Sequence, residues 1–125
     1  MSNTIGEIAV NFMFIRDQLK LYHWSTTNYA RHIASDTLVN NLTIKMDKFM
    51  EVIQGTENKR LSLKNKPFVY KKETDKSIIK LLENFKNWLS YTLPKYINKK
   101  ITYLFNIRDD ILSDVNNTLY LFTFS

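Results

Sequence analysis

In four stretches between Ile5 and Phe122 the apolar residues recur at steps of three and four, and only Gly6, Gly55, Pro67 and Pro94 stand in the chain as helix breakers. A period near 3.6 residues is the signature of an amphipathic helix, and so few breakers leave room for long ones. The first stripe is Ile5, Ile8, Phe12, Ile15, Leu19 and Tyr22, opened by Thr4 and Glu7, a capping-box pair able to satisfy free N–H groups of the first turn. Ser25-Thr26-Thr27-Asn28 follows, a run of side chains that compete with helix for backbone hydrogen bonds, so the chain turns there. A second stripe carries Leu38, Leu42, Met46, Phe49 and Ile53, with Gly55 as the expected left-handed stop. Residues 56 to 73 lose the period and hold Pro67 among several lysines, a connection long enough to cross the length of a bundle. Thr74 is the expected cap of a third helix bearing Ile78, Leu81, Leu82, Phe85, Trp88 and Leu89, which Pro94 interrupts or ends. Ile101, Leu104, Phe105, Ile111, Leu112, Val115, Leu119 and Phe122 form the last stripe. The pattern predicts one all-α domain over residues 1–125, with helices at 4–24, 30–54, 75–93 and 101–121. Two hairpins joined by one long crossover connection is the plan of a ferritin-like four-helix bundle.

Several function classes fall away on composition. With no cysteine, disulfides, thiolate metal sites and cysteine nucleophiles are excluded. The first ten residues lack the basic and apolar regions of a signal peptide, and no apolar run reaches membrane-spanning length, so the expectation is a cytoplasmic protein without a membrane partner. A net charge of +6 favours acidic partners, non-specific DNA among them. Lys59, Arg60, Lys64, Lys66, Lys71 and Lys72 concentrate that charge in the connection and are the candidate nucleic-acid-binding residues. A solvated loop, in a composition shifted toward lysine by an AT-rich genome, is the plainer account of the same residues.

The chemistry-bearing residues gather around the two histidines. His32 and Asp36 are four apart, as are Asp47 and Glu51, so each pair projects from one side of a helix as a clamp. Imidazole with carboxylate suits iron, manganese or zinc. The Glu-x-x-His signature of a bundle-centre di-iron site is missing, because Lys20 and Tyr29 stand three residues before His23 and His32. His32 and Asp47 are about 22 Å apart along one helix at the standard rise, too far to share a cluster within one chain. Two second helices packed antiparallel about a two-fold axis would bring the His32/Asp36 end of one copy to the Asp47/Glu51 end of the other. On the helical wheel these four lie opposite the apolar stripe, with Ile33 and Ile44 beside them as dimer contacts. His23, at the end of the first helix, would join His32.

His23-Trp24, then His32 and Asp36, then Asp47-Lys48-Phe49-Met50-Glu51 resembles the ferroxidase motif of Dps-like mini-ferritins, His-Trp, His, Asp and Asp-x-x-x-Glu. The resemblance covers residues 12 to 55, and the interval between the two histidines is shorter than in that family. It implies an iron site shared across a subunit two-fold, with His23, His32 and Asp36 from one chain and Asp47 and Glu51 from its neighbour. It also implies Trp24 beside the iron as an electron donor, di-iron chemistry with peroxide or oxygen, and a homodimer or larger homo-oligomer that protects against oxidative damage. The chain is also similar to small proteins of large DNA viruses that share the Tyr-His-Trp start, which would place it in a host cytoplasm or a virion. The competing expectation is a non-catalytic helical scaffold that binds nucleic acid or a protein partner through its basic surface, with the acids an ordinary solvated face and His23-Trp24 a packed helix end.

Overall fold

A computed structural model describes residues 4–64 and 69–124. Lys66 and Pro67 of the connection lie outside the described residues. The protein is all-helical, with four α-helices and no strand among the described residues: α1 (Thr4–Ser25), α2 (Tyr29–Glu57), α3 (Ser77–Asn87) and α4 (Thr102–Leu121). The apolar stripes close on one another to form a single core, led by Ile8, Phe12, Leu19, Leu38, Leu42, Phe49, Leu82, Phe85, Ile111 and Val115. Phe12 sits at its centre, with its ring edge-on to Phe49 (5.5 Å), Phe85 (6.2 Å) and Trp88 (5.6 Å), the arrangement that aromatic quadrupoles prefer.

The turn between α1 and α2 is short because its polar side chains cap it. Asn28 is extended at φ −89°, and its side-chain oxygen accepts the Arg31 N–H at 3.0 Å. At the other end α2 runs through Gly55, contrary to the sequence expectation of a stop there. The left-handed residue is Asn58 at φ 51°, whose N–H reaches the Gln54 and Gly55 carbonyls. Asparagine tolerates that conformation through its short polar side chain, and nothing obliges a helical glycine to end a helix.

Past Asn58 the chain returns beside α1. Near its start it crosses Gly6 so closely that a Cβ there would lie 2.2 Å from the Ser62 carbonyl oxygen. Farther on, the buried Gln18 amide takes the place of a strand partner: its oxygen accepts the Lys71 N–H at 3.2 Å and its nitrogen donates to the Lys71 carbonyl at 3.1 Å. The Tyr22 hydroxyl then donates to Asp75 at 2.6 Å. The described residues of the connection thus meet α1 near its first turns and again near its last, and deliver α3 to the end of the molecule where α2 began. Just ahead of α3, Thr74 and Ser77 bond reciprocally, the Thr74 hydroxyl accepting from Ser77 N–H at 3.0 Å while the Thr74 N–H donates to Ser77 Oγ at 2.8 Å; the residue that directly precedes the helix is Lys76, whose side chain makes no cap bond.

The sequence places the end of the third helix near Pro94, and the structure shows how the chain absorbs it. α3 widens into a π turn over Trp88–Thr92 and tightens into a 3-10 turn over Leu93–Tyr96. Pro94 lacks an N–H and its ring crowds the carbonyl four residues back, so regular α geometry gives way there. The principal helix contacts are α1 with α2, α2 with α4, α4 with α3, and α3 with α1. Given the chain directions, every one of these neighbouring pairs is antiparallel.

Candidate functional site

Both histidines lie at the α1–α2 corner. Their rings stack at 4.0 Å with an interplanar angle of 16°. His23 Nδ1 donates to the His32 carbonyl at 2.8 Å, and His32 Nδ1 donates to the His23 carbonyl at 2.8 Å. A carbonyl oxygen can only accept, so each Nδ1 must carry a proton, and Nε2 is the nitrogen of each ring that these bonds leave unused. Metal-ligating imidazoles are commonly fixed in this way, the second ring nitrogen tied to a backbone carbonyl. Ser35, fully buried, donates to the His32 carbonyl at 3.2 Å and lies 3.4 Å from His23 Nδ1.

Asp36 completes the corner, its Oδ1 at 3.7 Å from His23 Nε2. Two ligands at about 2.1 Å from one ion stand roughly 3 to 4 Å apart, so this spacing lies within the span of a common cation. The Lys20 ammonium lies 3.5 Å from the same oxygen and also covers the Trp24 ring at 5.5 Å. A cation arriving at Asp36 therefore has to displace or share that carboxylate with Lys20. Trp24 is 68% exposed, and Tyr29, its ring partly stacked on His32, is more exposed still.

Asp47 and Glu51 stand far along α2, both exposed. The structure thus brings His23, His32 and Asp36 together, sets the Trp24 ring against Lys20, and keeps Asp47 and Glu51 apart from them. Among the described residues of the single chain no group of three or more His, Cys, Asp or Glu side chains could hold a metal ion. Lys59, Arg60, Lys64, Lys71 and Lys72 are all exposed along the connection.

Sequence reasoning passed over the polar cluster that ties the same end of the molecule together. Asp75 accepts from Tyr22 (2.6 Å) and Thr26 (3.1 Å), while Arg31 donates to the Asp75 backbone carbonyl at 2.5 Å and lies over the Phe122 ring at 4.9 Å. The Tyr22 hydroxyl pKa is raised, chiefly by burial and then by Asp75, and the Asp75 carboxyl is lowered, chiefly by the Tyr22 hydrogen bond. The available signal was Tyr22 itself, because a tyrosine ending a core stripe needs a partner for its hydroxyl.

The model of a family of unknown function, DUF5856, matches residues 23–122, four fifths of the chain, a span that contains every one of the candidate site residues. No curated protein and no solved structure matches the chain.

Proposed function

The chain belongs to the family of unknown function DUF5856, so its activity has to be argued from its own residues, and we propose that it is an iron-binding, ferroxidase-type protein whose site is shared between two copies. The observation that carries this reading is the histidine corner, where both Nδ1 atoms are occupied by backbone carbonyls, so that Nε2 is the nitrogen each ring would offer a ligand. Asp36 adds a carboxylate oxygen at 3.7 Å from one of them. The order of helices, with a long connection that meets α1 near its first turns and again near its last, supports a ferritin-like plan with its crossover.

The donors fit Fe(II) as substrate: imidazole nitrogen and carboxylate oxygen are the usual ligands of non-haem iron, and zinc or manganese would accept the same set. Asp47 and Glu51 of a neighbouring copy supply the acids that one chain cannot bring to its own histidines. Carboxylates hold Fe(III) more tightly than Fe(II), which lowers the cost of passing one electron from each iron to peroxide or oxygen. His32 and His23, tied by their backbone bonds, would fix the geometry, and in this reading Trp24, exposed on the same turn as His23, gives up an electron to a stray oxidising equivalent.

A second reading has its own observations. Lys20 already partners Asp36, and the lysines of the connection stand exposed, as a scaffold that binds nucleic acid or a protein through charge would have them. One experiment separates the two. His32→Ala and Glu51→Ala, each checked for helix content, should separately abolish Fe(II) oxidation. An equal mixture of the two should recover about a quarter of wild-type activity, since half of randomly formed dimers are mixed and each mixed dimer rebuilds one of two sites. Oxidation that survives in either variant, or a mixture no better than its components, sinks the shared-site reading. Absence of oxidation in the wild-type protein favours the scaffold.

A further inference from the structure

Residues 84–108, the end of α3, the turn that follows and the start of α4, carry Lys86, Lys95, Lys99, Lys100 and Arg108 and no acid. Buried Leu89, Leu93, Ile97 and Leu104 mark the inner side of this stretch. Its exposed positions from Tyr91 to Tyr103 are two tyrosines, three lysines, Asn98 and Thr102. Tyr91 is 71% exposed and Tyr103 50%. The turn has a fixed shape: the Asn98 side-chain oxygen accepts the Lys100 N–H at 3.0 Å, and the Asn98 carbonyl accepts the Ile101 N–H at 2.9 Å. Arg108 then ties α4 to the π turn, donating at 3.0 Å to the Leu89 carbonyl, whose own π partner would be the N–H that Pro94 lacks.

We propose that the outer side of this α3–α4 turn binds single-stranded nucleic acid, with Lys95, Lys99 and Lys100 contacting phosphates and the Tyr91 and Tyr103 rings stacking with bases. None of the three lysines takes part in an ion pair among the described residues. The other charges at this end of the molecule, where α2 finishes and α1 begins, offset one another. Glu57 and Asp110 stand against the exposed Lys59 and Arg60, Glu7 and Glu51 against Lys48 and Lys86, and Asp109 is engaged by Arg108 at 2.8 Å. The lysines of the turn are therefore the excess, and a polyanion is their electrostatic complement. Tyrosine narrows the class. An exposed ring can stack on a base whose face is open, whereas a duplex keeps its base faces inside the helix. A bilayer surface is disfavoured because no aliphatic side chain from Tyr91 to Tyr103 is exposed to enter it. This surface is separate from the lysines of the connection named in the charge-based reading above, and it works with or without iron.

The test is fluorescence anisotropy of a labelled oligo-thymidine strand of about twenty nucleotides, and of its duplex with oligo-adenosine, on the whole chain and on variants checked for helix content. The wild-type protein should bind the strand more tightly than the duplex. Tyr91→Ala combined with Tyr103→Ala should weaken strand binding about tenfold or more and leave the salt dependence of binding unchanged. Lys99→Gln combined with Lys100→Gln should make the slope of log K against log salt shallower by about 1.4, at roughly 0.7 for each phosphate contact of a single strand. Lys71→Gln combined with Lys72→Gln makes the same change in net charge on the connection and should alter the slope by less than half as much. Absence of strand binding at low salt, a duplex bound as tightly as the strand, or tyrosine variants that bind like wild type each overturn the proposal. Equal losses from the two lysine pairs also overturn it and leave a scaffold that binds through charge alone. Capture of the protein by phosphatidylserine vesicles without strand binding overturns it in favour of a membrane surface. His32→Ala should bind the strand like wild type, so a loss of iron oxidation and a loss of strand binding are read from different variants.

Discussion

The two ends of α2 are built on opposite principles. At its N-terminal end His32 trades hydrogen bonds with His23, Asn28 caps the helix, and Arg31 reaches across to Asp75 and Phe122. Polar groups there are satisfied inside the chain, and three other segments converge on the corner. Toward its C-terminal end Asp47 and Glu51 face solvent beside an open apolar groove. A buried polar group must be satisfied at once or it costs stability, whereas an exposed carboxylate can wait for a partner. The first end is thus fixed in place by folding, whereas the carboxylates of the second stand in solvent, open to a partner or ion.

The largest stability change should come from breaking the fixed end. His23→Ala removes a buried imidazole, its stack on His32 and one of the two reciprocal bonds, with Ser35 still able to serve the His32 carbonyl. The loss should be about 2–4 kcal/mol in urea unfolding, together with faster amide exchange in the turn between α1 and α2. A variant within about 0.5 kcal/mol of wild type would show that the stack is incidental to the fold.

A smaller loss, about 1–2 kcal/mol, is expected for Tyr22→Phe, which deletes the hydroxyl bonded to Asp75. Its pH dependence sharpens the comparison. Asp75 has a lowered folded pKa, so its contribution is present above the ordinary carboxylate value, about 4, and is lost as pH falls through the folded value. Tyr22 has a raised folded pKa, so its contribution is present below about 10 and is lost as pH rises through the folded value. Stability against pH should therefore droop at both extremes in the wild type. Tyr22→Phe should flatten both limbs, and an unchanged profile would remove this cluster from the account of the corner.

How legible each end was in the sequence follows from the same contrast. The stripes of α1 and α2 could be read directly, since Phe12, Leu19, Leu42 and Phe49 repeat at helical spacing and all are buried. The last stripe was read less completely: Ile107 and Thr118 are also buried, because α4 packs against both α2 and α3 and so hides a wider face. The exposure of Asp47 and Glu51 on α2 is likewise a matter of spacing, whereas His32 turns to pack on His23 of α1. Reciprocal bonds from two rings to two carbonyls are another kind of fact. They depend on how two helices meet across a three-residue turn, and no residue pattern encodes that angle. Asn58 in place of Gly55 as the end of α2 shows the same limit, for both residues are permissive and the path of the connection over Gly6 selects between them. The tie between Tyr22 and Asp75 spans the whole connection, beyond the reach of any local rule.

The smallest stability effect belongs to the open end and discriminates best. Glu51→Gln keeps the shape of an exposed side chain and removes only its charge, so monomer stability should move by no more than about 0.5 kcal/mol. If the carboxylate is held for a partner's imidazoles, the same change should cut Fe(II) binding at least tenfold, because an amide oxygen is a far poorer ligand for a hard cation than a carboxylate. The pairing of a silent unfolding curve with a lost binding isotherm, read by calorimetry under anaerobic conditions, has no structural explanation within one chain. A silent curve with unchanged binding would return Glu51 to the solvated face of α2 and leave the histidine corner as a device for folding alone.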